Sequence, residues 1–268
     1  MSIVLDRLGC LDPLVACTRY CLEAVPALRQ RGLAVVQDSW STSMDELTAV
    51  QPDLVVASVP YRQESLAAIL KAGCPVLALV PHSLADIEQD IRLIGAIAGA
   101  PERAETVIAA MRRDVESVRR LTAELDARPL VYCEEWGKPL IHSQAWVREL
   151  VEAAGGRFLG EPGKTTTAEA VAAACPDVVV AAWCGAGDRV PLERLAARPG
   201  WAAMPAVRQG RVYAVADELL NTPAPTLVEG LRALAAAIHP QVFGAVAGLR
   251  RLGEAKLKIE PPRAASKL

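Results

Sequence analysis

Five aromatic residues of this chain stand where apolar runs end: Tyr20, Trp40, Tyr61, Trp136 and Trp183. Only 4% of the chain is aromatic, so five at such places is a concentration. Flat rings offer large contact area at small entropic cost, and a set facing one space suits a flat or bulky apolar ligand. Any one ring is equally well explained by packing against its own neighbours; all five together are not. The groups needed for making and breaking bonds do not converge in the same way. His82, His142 and His239 are scattered, and only His82 follows a strand. No Gly-x-Ser-x-Gly turn presents a nucleophile. Neither common glycine-rich phosphate loop occurs. Glu134 and Glu135 are adjacent carboxylates, but successive strand residues face opposite ways, so a shared acid/base role is not expected. The pattern is that of a binding protein and not of an enzyme, with no catalytic residues and no catalytic cofactor.

Two further carboxylates, Glu64 and Glu193, each sit near the start of a helix that follows a strand. The helix dipole favours a negative charge there. The alternative is one docking charge per half of the molecule for a symmetric basic partner. Seven cysteines are an odd set without the density of a disulfide framework. Cys17 and Cys21 stand close enough to pair or to share a metal, but no second pair completes a zinc site. Buried free thiols are the simpler reading. If the protein were instead a metal-binding enzyme or metallochaperone, Cys133, Cys184, His142 and Glu134 would be the suspected ligands.

The elements that must hold these residues follow from a phrase that occurs twice. Gln51-Pro52-Asp53-Leu54-Val55-Val56-Ala57 is echoed by Cys175-Pro176-Asp177-Val178-Val179-Val180-Ala181, about one domain length later. Each copy closes an Ala-rich helical stretch and opens a β-branched run of the kind buried on both faces of a parallel sheet. Two similar α/β lobes are expected, with strands at residues 14–17, 33–36, 54–57, 74–80, 130–133, 178–181 and 210–215. Ser43 with Glu46, and Thr166 with Glu169, read as capping boxes. Ile87, Ile91, Ile94 and Ile97 recur at helical spacing after Ser83. Pro101 opens a long helix with Val107, Met111, Val115, Val118 and Leu121 on one side, long enough to link two lobes rigidly. The expected organisation is an N-terminal lobe at 1–100, a linking helix at 101–127, a C-terminal lobe at 128–252 and a flexible Lys-rich tail at 253–268.

The whole composition agrees with this. A chain of 268 residues is comfortable for two cores. With 52% hydrophobic and 22% charged residues it reads as an ordinary globular protein. A net charge of −2 argues against nucleic acid, which needs a basic face. No apolar run approaches a membrane span, and the first residues lack the basic and apolar regions of a signal peptide.

The stretches Leu14-Val-Ala-Cys-Thr-Arg-Tyr-Cys, Ser43-Met-Asp-Glu-Leu-Thr-Ala-Val-Gln-Pro-Asp, Glu135-Trp136 with Pro139, Trp146-Val-Arg-Glu-Leu-Val-Glu-Ala-Ala-Gly-Gly and Arg198-Pro-Gly-Trp follow one another in a familiar order. In these the chain resembles the periplasmic binding proteins of ABC importers for cobalamin, haem and iron-siderophores, most of all the vitamin B12-binding members. The resemblance implies two Rossmann-like lobes joined by one long helix, as in class III, chelatase-like binding proteins. It implies cobalamin or a related corrinoid held between the lobes as transported cargo. A haem or ferric-siderophore carrier is the alternative. On that pattern Tyr20, Trp40, Tyr61, Trp136 and Trp183 line the site and Asp217 touches the ligand's polar edge. Glu64 and Glu193 dock on the permease, whose ATPase completes the partnership. A monomer outside the cytoplasm is expected. Residue 1 falls where the family's first helix begins, so its first strand is expected to be missing here and a neighbour in the sheet unpaired.

Overall fold

The computed structural model describes residues 1–37, 44–58, 63–71, 73–187 and 189–254. Ser43, Trp40, Tyr61 and the tail from 255 lie outside the described residues. The first lobe runs α1 (Ser2–Arg7), β1 (Ala16–Thr18), α2 (Arg19–Ala24), β2 (Ala34–Val36), α3 (Met44–Val50), β3 (Val55–Ser58), α4 (Gln63–Lys71), β4 (Val76–Leu79) and α5 (Leu84–Ile97). The long helix α6 spans Pro101–Ala123. The second lobe opens with β5 (Leu130–Gly137), β6 (Leu140–His142), α7 (Ala145–Ala153), β7 (Arg157–Phe158), β8 (Thr165–Thr166), α8 (Ala168–Ala174) and β9 (Val178–Ala181). It closes with α9 (Leu192–Ala196), α10 (Pro205–Arg208), β10 (Val212–Val215), α11 (Leu227–Ile238), α12 (Pro240–Phe243) and β11 (Leu249–Arg251).

The repeated phrase folds the same way twice. Proline disfavours a helical residue before it, so α3 and α8 stop at Val50 and Ala174. The next residue flips to the left-handed region in both copies, Gln51 and Cys175 each at φ 50°. The following strands, β3 and β9, then enter their sheets. In the second lobe β9 is buried along its whole length and lies between β5 and β10, parallel to both. Asp177 fixes the start of that pairing: its amide donates to the Leu130 carbonyl, and its carboxylate accepts from the Leu130 amide at 2.7 Å. In the first lobe β3 pairs only with β4, and β1 only with β2, both parallel. Among the described residues no strand joins these two pairs.

Some helix faces differ in detail from the spacing argument. Thr167, not Thr166, caps α8, accepting from the Ala170 amide at 3.2 Å, because Thr166 is committed to pairing with Leu140 in β8. Helix α5 is capped by Ser83 and buries Ile87, Ile91 and Ile94, while Ile97 at its end is half exposed. Helix α6 buries Ala104, Ile108, Met111, Val118 and Thr122, so its inner stripe is rotated from the expected one and Leu121 faces outward. The rotation lets small Ala104 meet Gly95 of α5 closely.

The cores do not divide one per lobe. The larger runs from Ile3, Val4 and Leu8 of α1 through Ile87 and Ile91 of α5 and Ile108 of α6 to Val147, Leu150, Leu231 and Leu234 of α7 and α11. A second core, around Tyr132, Val179, Leu192, Leu195, Trp201 and Met204, covers the other face of the second sheet. Polar ties follow the same seam. Arg7 of α1 pairs with Glu229 of α11 at 2.8 Å, and Glu149 of α7 accepts the Leu84 amide at the start of α5 at 3.3 Å.

Candidate ligand cleft

Strands β9, β5 and β10 are parallel, so their carboxyl ends share one edge of the sheet, the edge where α/β folds bind ligands. Three segments extend that edge. The end of β5 carries Glu135, Trp136 and Gly137, the loop after β9 carries Trp183, Cys184 and Gly185, and the segment after β10 carries Asp217 and Asn221. Asp217 shapes the loop after β9: its carboxylate accepts from the amides of Gly185 at 2.7 Å and Gly187 at 2.9 Å. The residue expected to touch a ligand therefore has both oxygens engaged in holding the rim.

Across from this rim, Tyr20 stands at the first turn of α2, directly after β1. Thr18 caps that helix by accepting the Cys21 amide. Arg19 donates to the Tyr20 hydroxyl at 2.8 Å and lies over its ring at 4.8 Å from the centroid. A Cβ placed on Gly185 would lie 3.8 Å from Cε1 of Tyr20. The ring of the first lobe thus reaches the glycine loop of the second. Of the five aromatic residues, Tyr20 reaches the Gly185 loop, while Trp183, just before that loop, packs half-buried against the second core of its own lobe. Trp136 extends beside them, 43% exposed, its indole nitrogen donating only to the nearby Lys138 carbonyl at 2.9 Å. Trp40 and Tyr61 lie outside the described residues.

Trp183 is held from below. Its indole N–H donates to Oε1 of Glu134 at 2.8 Å, and its ring fits against Gly137 so closely that a Cβ there would stand 2.5 Å from Cζ2. Glu134 is fully buried. It also accepts from the Tyr132 hydroxyl at 2.8 Å and from Arg198 twice, at 2.6 and 2.9 Å. Burial beside this carboxylate drives the Tyr132 hydroxyl pKa far above its usual value. Arg198 in turn stacks on the buried Trp201 at 4.8 Å. Spacing gave no sign of this network, since its members come from positions 132, 134, 183 and 198.

Glu135 points the other way, as the alternation of a strand requires. Its Oε2 accepts from Gln144 at 2.6 Å, and its Oε1 accepts from the Cys184 thiol at 3.7 Å. Burial raises its pKa. The same surroundings push the Cys184 thiol up to about 12, burial first and then Glu135. Asn221 donates to the Ala182 carbonyl and to the Cys184 sulfur.

The other candidates take plainer places. Glu64 and Glu193 are exposed in the first turns of α4 and α9. All seven cysteines are free, including Cys17 and Cys21. Cys175 is exposed, so the expectation of uniformly buried thiols is corrected there. The residues suspected as metal ligands do not form a set. Cys133 is sealed in the core, Glu134 is neutralised by Arg198, and His142 packs edge-on to Tyr132 and against Gly160. Among the described residues no three of His, Cys, Asp and Glu are placed so that they could hold a metal ion. His239 caps the end of α11 with its ring buried against the Gly155 carbonyl. His82 is exposed after β4, its amide donating to Asp86. A groove of about 450 Å³ along the seam of α5, α6 and α7 is lined by Glu88, Met111, Val115, Arg119 and Glu149 and is separate from the rim.

The periplasmic binding protein model matches residues 3–219, from α1 to the end of β10 and the loop beyond it. The chain belongs to the periplasmic binding protein family. Members of this family are binding proteins rather than enzymes. The uncharacterized ABC transporter substrate-binding lipoprotein YvrC of Bacillus subtilis is 26% identical over 76% of this chain and 67% of its own length. A cobalamin-binding protein of Halobacterium salinarum is 26% identical over 80% of this chain. The chain spans only 61% of that relative's length. Among solved structures, a periplasmic heme binding protein from Pseudomonas aeruginosa superposes with a TM-score of 0.82 at 26% identity. The match covers 93% of this chain and 94% of that one. The two lobes joined by one long helix are therefore the architecture that this chain shares with the family. Among the described residues no helix is long and apolar enough to cross a membrane.

Proposed function

We propose that this protein is the substrate-binding component of an ABC importer and carries cobalamin or a related corrinoid between its two lobes. The observation that carries this reading is the rim itself. Tyr20 of the first lobe reaches the Gly185 loop of the second, Trp183 stands just before that loop, and exposed Trp136 lies at the end of the neighbouring strand. A large flat chelate matches such a surface by stacking and apolar contact, while Asp217 keeps the loop amides in place. Similarity to the cobalamin-binding protein of Halobacterium supports the corrinoid. The haem-binding protein of Pseudomonas, alike in fold over nearly its whole length, supports haem as the second reading. Trp40 and Tyr61 complete the ring set in this proposal.

Glu64 and Glu193 are exposed carboxylates at matching places on the two lobes, and we assign them to docking on basic residues of the permease. The carrier works as a monomer outside the cytoplasm. The test is titration of the purified chain with cyanocobalamin, haemin and a ferric siderophore by calorimetry. Tight one-to-one binding of cyanocobalamin supports the corrinoid, and haemin alone moves the assignment to haem. Silence with all three rejects the carrier reading.

A further inference from the structure

The Glu134 carboxylate has about four acceptor positions and fills them with four donors, two from Arg198 and one each from Tyr132 and Trp183. Tyr132 and Trp201 are fully buried in the second core, and Arg198, mostly buried, spans from Trp201 to the carboxylate. The fourth donor, Trp183, is half-buried and follows β9 at the carboxyl edge of the sheet, where the candidate cleft lies. The other edge of its indole is set by the missing side chain of Gly137. A charge-assisted bond is shorter and stronger than a neutral one. An indole pinned by such a bond and wedged on a glycine has one orientation. Trp136, two residues along from Glu134, makes a single bond to its own hairpin and has no comparable clamp.

We infer that Glu134 and Arg198 are positioning residues: without touching the ligand, they fix the Trp183 indole as a rigid wall of the cleft before the ligand arrives. The inference rests on the carrier reading for its purpose, but its geometry can be tested without any ligand. Affinity rises when the binding surface is ordered in advance, because less freedom is lost on binding.

The experiment uses the full chain labelled with 5-fluorotryptophan and read by fluorine NMR, with the Trp183 signal assigned by its loss in Trp183→Phe. Glu134→Gln keeps the size of the group but removes the charge. Should it fail to fold, Glu134→Met combined with Arg198→Met removes both charges together. The expected result is a Trp183 signal that shifts and broadens at least twofold while those of Trp136 and Trp146 stay in place. Binding of whichever of cyanocobalamin, haemin and the ferric siderophore the unaltered protein takes should weaken at least tenfold. An unchanged Trp183 signal overturns the inference, as does a disturbed signal with affinity held within twofold. If the unaltered protein takes none of cyanocobalamin, haemin and the ferric siderophore, the carrier reading falls, and the fluorine result alone decides the positioning.

Discussion

Glu134 shows what a single buried charge demands. A carboxylate removed from water is tolerated only when paired and fully hydrogen-bonded. Replacing it by Gln leaves the Arg198 guanidinium, itself mostly buried, facing an amide. Unpairing one partner of a buried ion pair typically costs about 3–5 kcal/mol. We expect Glu134→Gln to lose about 3 kcal/mol in urea unfolding, and the double Met variant to recover most of it; equal stabilities for all three proteins would refute this account. Asp90 is the opposite case, a carboxylate with too little support. Burial on α5 and then Asp86, one turn earlier, raise its pKa to about 6. A raised carboxyl pKa means that the folded state holds its proton longer than the unfolded chain does. Stability is therefore full at low pH and falls as pH climbs from about 4 to about 6. The unscreened shift corresponds to about 3 kcal/mol at about 1.4 kcal/mol per unit. Asp90 is partly exposed, so about 1 kcal/mol is the realistic figure. Asp90→Asn should flatten the stability profile between pH 4 and 6 and add about 1 kcal/mol at pH 7. A profile as steep as the parent's would show that Asp90 is not responsible.

What could be read at the level of elements came from local signals. The double Pro-Asp phrase foretold two twin helix-to-strand turns, because proline acts on the residue beside it and the apolar run beyond has only one environment to enter. The places of Trp183 and Tyr20 just beyond strands were legible, because apolar β-branched runs end before each. The Glu134 network was not, since its donors lie up to 64 positions away and only the closed sheet brings them together. The inner stripes of α5 and α6 were read a little askew for a related reason: spacing shows that one face is apolar, but the neighbouring helix decides which edge of that face is covered. The twin turn also makes a prediction. Cys175 occupies a left-handed conformation that glycine adopts without strain. Its side chain is exposed and contributes one weak bond to the Ala172 carbonyl. Cys175→Gly should raise stability by about 1 kcal/mol through relief of strain of that order. Thermal unfolding measures it, and a lower midpoint would mean that the thiol contact outweighs the strain.

At the scale of the molecule, the shared core decides how the lobes behave. A chain with one core per lobe would unfold in two steps, as multi-domain proteins commonly do. Here the helices between the sheets belong to both halves. Leu231 of α11 is fully buried in the same cluster as Ile3 of α1 and Ile91 of α5. The Arg7–Glu229 and Glu149–Leu84 contacts cross the same seam. Pulling the lobes apart would expose that cluster to water, so opening by a large hinge motion is disfavoured, and in the proposed carrier the cleft would keep a nearly fixed width. We expect calorimetry to show one transition whose van't Hoff and calorimetric enthalpies agree. Leu231→Ala should cost about 3 kcal/mol through the cavity it leaves, lowering the midpoint of the whole transition by roughly 6–12 °C for a chain of this size. Two resolved transitions, with only the second lobe's moved by the substitution, would show that the halves are thermodynamically separate. The fixed rim, and with it the advantage of a pre-set Trp183, would then lose its mechanical basis.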